Sequence, residues 1–120
     1  MTNNALDPHS IDDRWERTPL QVKAMLAADD PPLLIDCRTS DEHASCRIDG
    51  CTLVPLQELS LRIDELRDQA ADPIIVYCRS GRRSLSAAQF MKSEGFTSVW
   101  SMAGGINQWA NDVDPSIDPY

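Results

Sequence analysis

Ile74-Ile75-Val76-Tyr77 is an unbroken apolar run that opens after Asp72-Pro73 and closes into Cys78-Arg79-Ser80-Gly81. Successive side chains of a strand point to opposite faces, so a run without alternation suits a strand covered on both sides. Leu33-Leu34-Ile35 repeats the pattern between Pro31-Pro32 and Asp36, and Thr52-Leu53-Val54 and Val99-Trp100-Ser101-Met102 are shorter candidates of the same kind.

Helical patterns lie between these runs. Thr18-Pro19-Leu20-Gln21 reads as a helix start, with Thr18 as the cap, Pro19 in the first turn and Gln21 completing a capping box. The helix runs to near Ala28 with Val22, Met25 and Leu26 on one face, and Asp29-Asp30-Pro31-Pro32 stops it. Leu59, Ile63 and Leu66 fall at helical spacing, as do Leu85, Ala88 and Met91 ahead of a Gly95 stop. Trp100 and Trp109 are expected in the core, Trp109 packing its own helix on the sheet. Strands alternating with such helices predict an α/β domain with a mainly parallel sheet and helices on both faces.

A chain of 120 residues is long enough for one domain, expected over residues 14–112, with polar tails at 1–13 and 113–120. No apolar stretch approaches the roughly 20 residues needed to cross a bilayer. The N-terminal residues carry neither a basic nor an apolar targeting segment, so a cytoplasmic protein with no membrane partner is expected. A net charge of −8 argues against a nucleic-acid partner. The four cysteines, Cys37, Cys46, Cys51 and Cys78, lack the paired spacing of a zinc site, so no metal is expected.

Against that acidic background, Cys78-Arg79-Ser80-Gly81-Arg82-Arg83-Ser84 concentrates positive charge after the most apolar strand and before a helix beginning near Ser84. In parallel sheets ligands gather at that edge. A thiol is nucleophilic only as thiolate, which positive charge and a helix N-terminus favour. Arg79, Arg82 and Arg83 flank Cys78, Gly81 allows a tight turn, and Ser80 to Ser84 can aim backbone N–H groups inward as an anion nest. Asp36 and Arg38 end another strand. A carboxylate beside Cys78 would raise its pKa, so they read as a structural pair, and His43 reads as a solvated side chain.

The segment Ile75 to Ser84 resembles the active-site loop of rhodanese domains, a hydrophobic strand followed by C-R-x-G-x-R-S. Leu34-Ile35-Asp36-Cys37-Arg38 is similar to the family's L-I-D-V-R, followed by the acidic Asp41-Glu42-His43. Ile48-Asp49-Gly50-Cys51 through Pro55 resembles I-x-G-A leading to I-P, and Gly104-Gly105-Ile106 with Trp109 matches G-G-x-x-x-W. Two departures stand out: Cys46-Arg47 replaces the usual Gly-His, and Cys51 the usual Ala. Each new cysteine is either a tolerated substitution or a second thiol for the site.

The resemblance implies a rhodanese-like fold with a sheet of about five strands. It also implies a two-step sulfurtransferase: Cys78 attacks the outer sulfur of a donor such as thiosulfate, sulfite leaves, and the persulfide passes its sulfur to a thiophilic acceptor. The loop amides would stabilise the persulfide, and Arg83 with Arg79 would hold the donor's anionic end, Arg82 occupying the family's variable position. No cofactor is required. Small anionic sulfur donors, or a protein-bound persulfide, suit such a loop. Two competitors are a redox-sensing or partner-binding module, which would use an exposed low-pKa Cys78, and a thiolate phosphatase. The phosphatase loop is one residue longer between Cys and Arg than this one.

Overall fold

The computed structural model describes residues 11–118. The elements in chain order are β1 (Glu16–Arg17), α1 (Pro19–Leu26), β2 (Leu33–Asp36), α2 (Ser40–Ser45), β3 (Thr52–Leu53), α3 (Leu59–Arg62), β4 (Ile74–Tyr77), α4 (Arg82–Ser93), β5 (Val99–Met102) and α5 (Gly105–Asp112). Short 3-10 turns precede and follow α3, so the apolar row Leu59, Ile63 and Leu66 is carried by a helix of mixed pitch. The strands form one five-stranded sheet in the order β1-β5-β4-β2-β3, every pair parallel.

The unbroken apolar runs are explained by two cores, one on each face. Ile35, Ile74, Val76 and Val99 meet Leu59, Ile63, Ala87, Ala88 and Met91 on one side. Leu34, Ile75, Tyr77 and Met102 meet Val22, Ile106 and Trp109 on the other. Adjacent residues of β4 therefore belong to opposite cores, as the pleat requires. The α1 start has the expected capping box: the Thr18 hydroxyl accepts from the Gln21 N–H and the Gln21 side chain from the Thr18 N–H.

Three expectations are corrected. Trp100 is only half-buried, its ring facing the Arg17 guanidinium at 4.3 Å. The segment 113–118, expected to be a solvated tail, docks through Val113 and Ile117 on the core around Trp109. Of the expected 1–13 tail, residues 1–10 lie outside the described residues, but Asp12 is held in a turn, its carbonyl accepting from the Trp15 and Glu16 N–H groups and its carboxylate from Arg14. The two-residue β1 and the six-residue α2 carry too few apolar positions to be legible as elements from periodicity.

Candidate active site

β4 delivers Cys78 to the carboxyl edge of the sheet, and the chain then turns through Gly81 directly into α4. Gly81 has φ +102, in the left-handed region that only glycine adopts cheaply. That turn folds the start of α4 over the cysteine. Cys78 Sγ accepts the Gly81 N–H at 3.1 Å and the Ser84 N–H at 3.4 Å, with Ser84 Oγ also at 3.4 Å. Ser84 Oγ is fixed in turn by Ser101 Oγ at 2.7 Å. A sulfur at the N-terminus of a 12-residue helix also feels the positive end of its dipole.

The remaining neighbour is Cys37, one residue past Asp36 in the β2–β4 register and in the same core as Cys78. The adjacent Cys37 thiol, opposed by burial and aided by the Ser84 hydroxyl and the Ser84 and Gly81 amides, lowers the Cys78 pKa to about 4. Cys37 shifts the opposite way, pushed up by the neighbouring negative sulfur and by burial. The sulfur is deep as well as ionised: Cys78 is 1% exposed, while Arg79, Ser80 and Arg82 stand exposed on the outside of the loop.

Arg83 is engaged within the fold. Its guanidinium meets the Glu42 carboxylate in a fork at 2.7 and 2.9 Å, which raises its pKa. Glu42 also completes the capping box of α2, accepting from the Thr39 N–H. One carboxylate thus ties the active loop to the segment after β2. The signal for it was present in Thr39-x-x-Glu42, a capping box. The Arg83 partner across 41 residues was not readable from that motif.

Asp36 and Arg38 form a second, separate assembly. The Asp36 carboxylate is wholly buried and accepts Arg38 N at 3.0 Å, Arg38 Nε at 2.9 Å, Arg38 Nη2 at 2.9 Å and the Tyr77 hydroxyl at 3.2 Å. Burial alone would raise its pKa, but the Arg38 and His43 bonds prevail and hold it below the usual carboxylate value. His43 is therefore not simply solvated: its Nδ1 lies 2.9 Å from Asp36 Oδ2. Cys51 Sγ sits 3.4 Å from the Tyr77 hydroxyl, and the Arg38 guanidinium donates to the Cys46 carbonyl at 2.5 Å. Tyr77 and the partly buried Cys46 and Cys51 belong to the core across the sheet from Cys78. Of the cysteines, Cys37 is the one beside Cys78.

Ligand atoms of Asp36, His43 and Cys51 lie within 4.8 Å of one another, a set that could in principle hold a metal. The Arg38 guanidinium already neutralises Asp36, and a dication there would sit beside a buried positive charge. The cluster works as a hydrogen-bonded anchor for the β2 end.

The Gly104-Gly105 turn closes the site from behind. Ile106 N–H donates to the Cys78 carbonyl at 2.9 Å and Asn107 N–H to the Arg79 carbonyl at 3.1 Å. Gly105 has φ +61, and a Cβ there would fall onto the Cys78 and Arg79 carbonyls. Gly105→Ala is expected to lower the melting temperature by about 5 °C or more, since the left-handed backbone alone costs about 1–2 kcal/mol. Slower alkylation of Cys78 in the same variant would report displacement of the loop, and an unchanged melt would show that the clamp is slack.

Comparison with known proteins agrees with this layout. The chain is 33% identical over 92 residues to the putative sulfur carrier protein YrkF of Bacillus subtilis, covering 77% of this chain and 49% of that one. It is 32% identical over 94 residues to a sulfurtransferase of Allochromatium vinosum, covering 78% of this chain and 86% of the relative. The human single-domain sulfurtransferase TSTD1 superposes with a TM-score of 0.72 at 25% identity, over 81% of this chain and 96% of that structure. The chain thus spans about half of the Bacillus relative and most of the other two. With the family model of the rhodanese-like domain matching residues 18–112, the chain belongs to the rhodanese-like domain family.

Proposed function

We propose that this chain is a sulfurtransferase that carries a sulfane sulfur as a persulfide on Cys78. The observation that carries the reading is the donor set converging on one sulfur: two backbone N–H groups and the Ser84 hydroxyl. In the first half-reaction the thiolate attacks the outer sulfur of a donor such as thiosulfate. The donor S–S bond breaks, sulfite leaves with the electron pair, and a new S–S bond forms at Cys78. In the second, a thiophilic acceptor takes the outer sulfur and the thiolate returns.

A thiolate that is already ionised needs no general base. Donors arranged for the thiolate also serve the persulfide anion and the charge that develops between them. The exposed Arg79 and Arg82 would draw an anionic donor toward the loop. Arg83 contributes its charge while Glu42 keeps it in place. The relatives named as sulfurtransferase and sulfur carrier support the same class of chemistry, and a protein-bound persulfide is equally a fitting donor. A cytoplasmic setting, which keeps such thiols reduced, would suit it. The redox-sensing alternative uses the same thiolate, and sulfur loading from thiosulfate against oxidation by peroxide separates the two.

The test is thiocyanate formation from thiosulfate and cyanide, with intact mass in the absence of acceptor. Turnover and an adduct of about 32 Da, the mass of one sulfur, are expected. No turnover and no adduct from any sulfane donor would sink the reading. The depressed pKa adds a pH signature: sulfur loading should stay flat from about pH 8 down to about pH 5 and fall only as the thiolate protonates near 4. A loading midpoint near the ordinary thiol value would show that the donor set does not ionise Cys78.

A further inference from the structure

Cys37 stands one residue beyond β2, and Cys78 one residue beyond β4. These strands pair in parallel with Asp36 opposite Tyr77, and the Cys37 N–H extends the ladder by donating to the Tyr77 carbonyl at 3.0 Å. Cys37 and Cys78 are therefore the next neighbours in register. Both side chains enter the same core, with Ile35, Val76 and Ala87. Neighbouring strands run about 4.8 Å apart, inside the window of about 4.4–6.8 Å between Cα atoms that a disulfide needs.

We propose that Cys37 is a resolving thiol: when no acceptor takes the sulfane sulfur, it attacks the inner sulfur of the Cys78 persulfide and releases hydrosulfide. The proposal rests on the persulfide reading above. The bond formed joins Cys37 Sγ to Cys78 Sγ, and the bond broken is that between Cys78 Sγ and the outer sulfur. The electron pair leaves with the outer sulfur, which is reduced from sulfane to sulfide, while the two cysteine sulfurs are oxidised to a disulfide. The Cys37 proton ends on the departing hydrosulfide, so charge is conserved. An external dithiol then restores both cysteines by thiol–disulfide exchange. The complete cycle converts thiosulfate and a dithiol into sulfite, hydrogen sulfide and a disulfide.

Cys37 is quiet until Cys78 is loaded. It is 1% exposed, and the adjacent thiolate and its burial keep it protonated. Loading moves the negative charge one atom away, onto the outer sulfur, and relieves that restraint. Cys46 and Cys51 lie on the other face and cannot substitute.

The test loads the full chain with thiosulfate, removes the donor, and follows intact mass, released hydrosulfide and thiols alkylatable after denaturation. In the wild type the adduct of about 32 Da is expected to give way to a species lacking one pair of alkylatable thiols, with an equivalent of hydrosulfide and a non-reducing digest joining Cys37 to Cys78. Cys37→Ser and Cys37→Val are expected to load more slowly, because the Cys37 thiol helps to lower the Cys78 pKa, but once loaded to hold the adduct at least about tenfold longer. Cys46→Ser and Cys51→Ser are expected to follow the wild type. An adduct that lasts as long in the wild type as in Cys37→Ser overturns the proposal and leaves the transfer reading standing. If no chain forms an adduct the transfer reading itself fails, and persulfide resolution falls with it.

Discussion

Cys78→Ser is expected to lose thiocyanate formation by on the order of 10³-fold or more and to carry no sulfur adduct, with an unchanged melting temperature. The substitution nearly preserves volume and leaves the Gly81 and Ser84 N–H groups a hydroxyl oxygen to bond, so the loop has no reason to collapse. What it removes is the ionisable sulfur. A serine hydroxyl at this position has donors around it but no base to take its proton, and it forms no persulfide. Residual activity at the wild-type rate would place the sulfur on another cysteine, and the adduct mapped by digest would identify which one.

The second large effect is on stability. Asp36→Ala is expected to cost about 3–5 kcal/mol, because it removes the buried carboxylate paired with a fully buried guanidinium. A chain of this size has about 5–15 kcal/mol in total, so the variant should unfold at markedly lower urea or fail to accumulate. The double variant Asp36→Leu with Arg38→Met removes both charges and is expected to recover much of the loss. Urea melts of the three proteins check it. If Asp36→Ala melted like the wild type, Arg38 would have another means of neutralisation, and the carboxylate would not be the anchor of the β2 end. The carboxylate is committed to Arg38, His43 and Tyr77, across the sheet from Cys78.

The local parts of the fold are legible in the order of residues alone. The runs at Leu33 and Ile74 announce strands covered on both faces because burial on two sides leaves no polar position for alternation. Thr18-Pro19-Leu20-Gln21 announces α1 because a capping box satisfies orphan donors within one turn. The sequence Cys-Arg-Ser-Gly-Arg-Arg-Ser places a thiol between a strand and a helix, where amides and dipole converge. These are all interactions within about ten residues, and a pattern can encode them.

Tertiary structure decided the rest. That β1 joins the sheet beside β5, that Glu42 forks onto Arg83, that Tyr77 closes the Asp36 network and that Cys37 lies against Cys78 all depend on which strands become neighbours and in what register. Cys37 shows the reason most plainly. In the sequence it occupies an ordinary apolar position 41 residues from Cys78, chemically no more suggestive than Cys46 or Cys51. Parallel pairing of β2 with β4 sets it beside the reactive sulfur and sends the other two to the opposite face. Residue type and local spacing determine what a side chain can do. Strand register, a sum of many weak contacts distributed over both cores, determines which side chain it does it with.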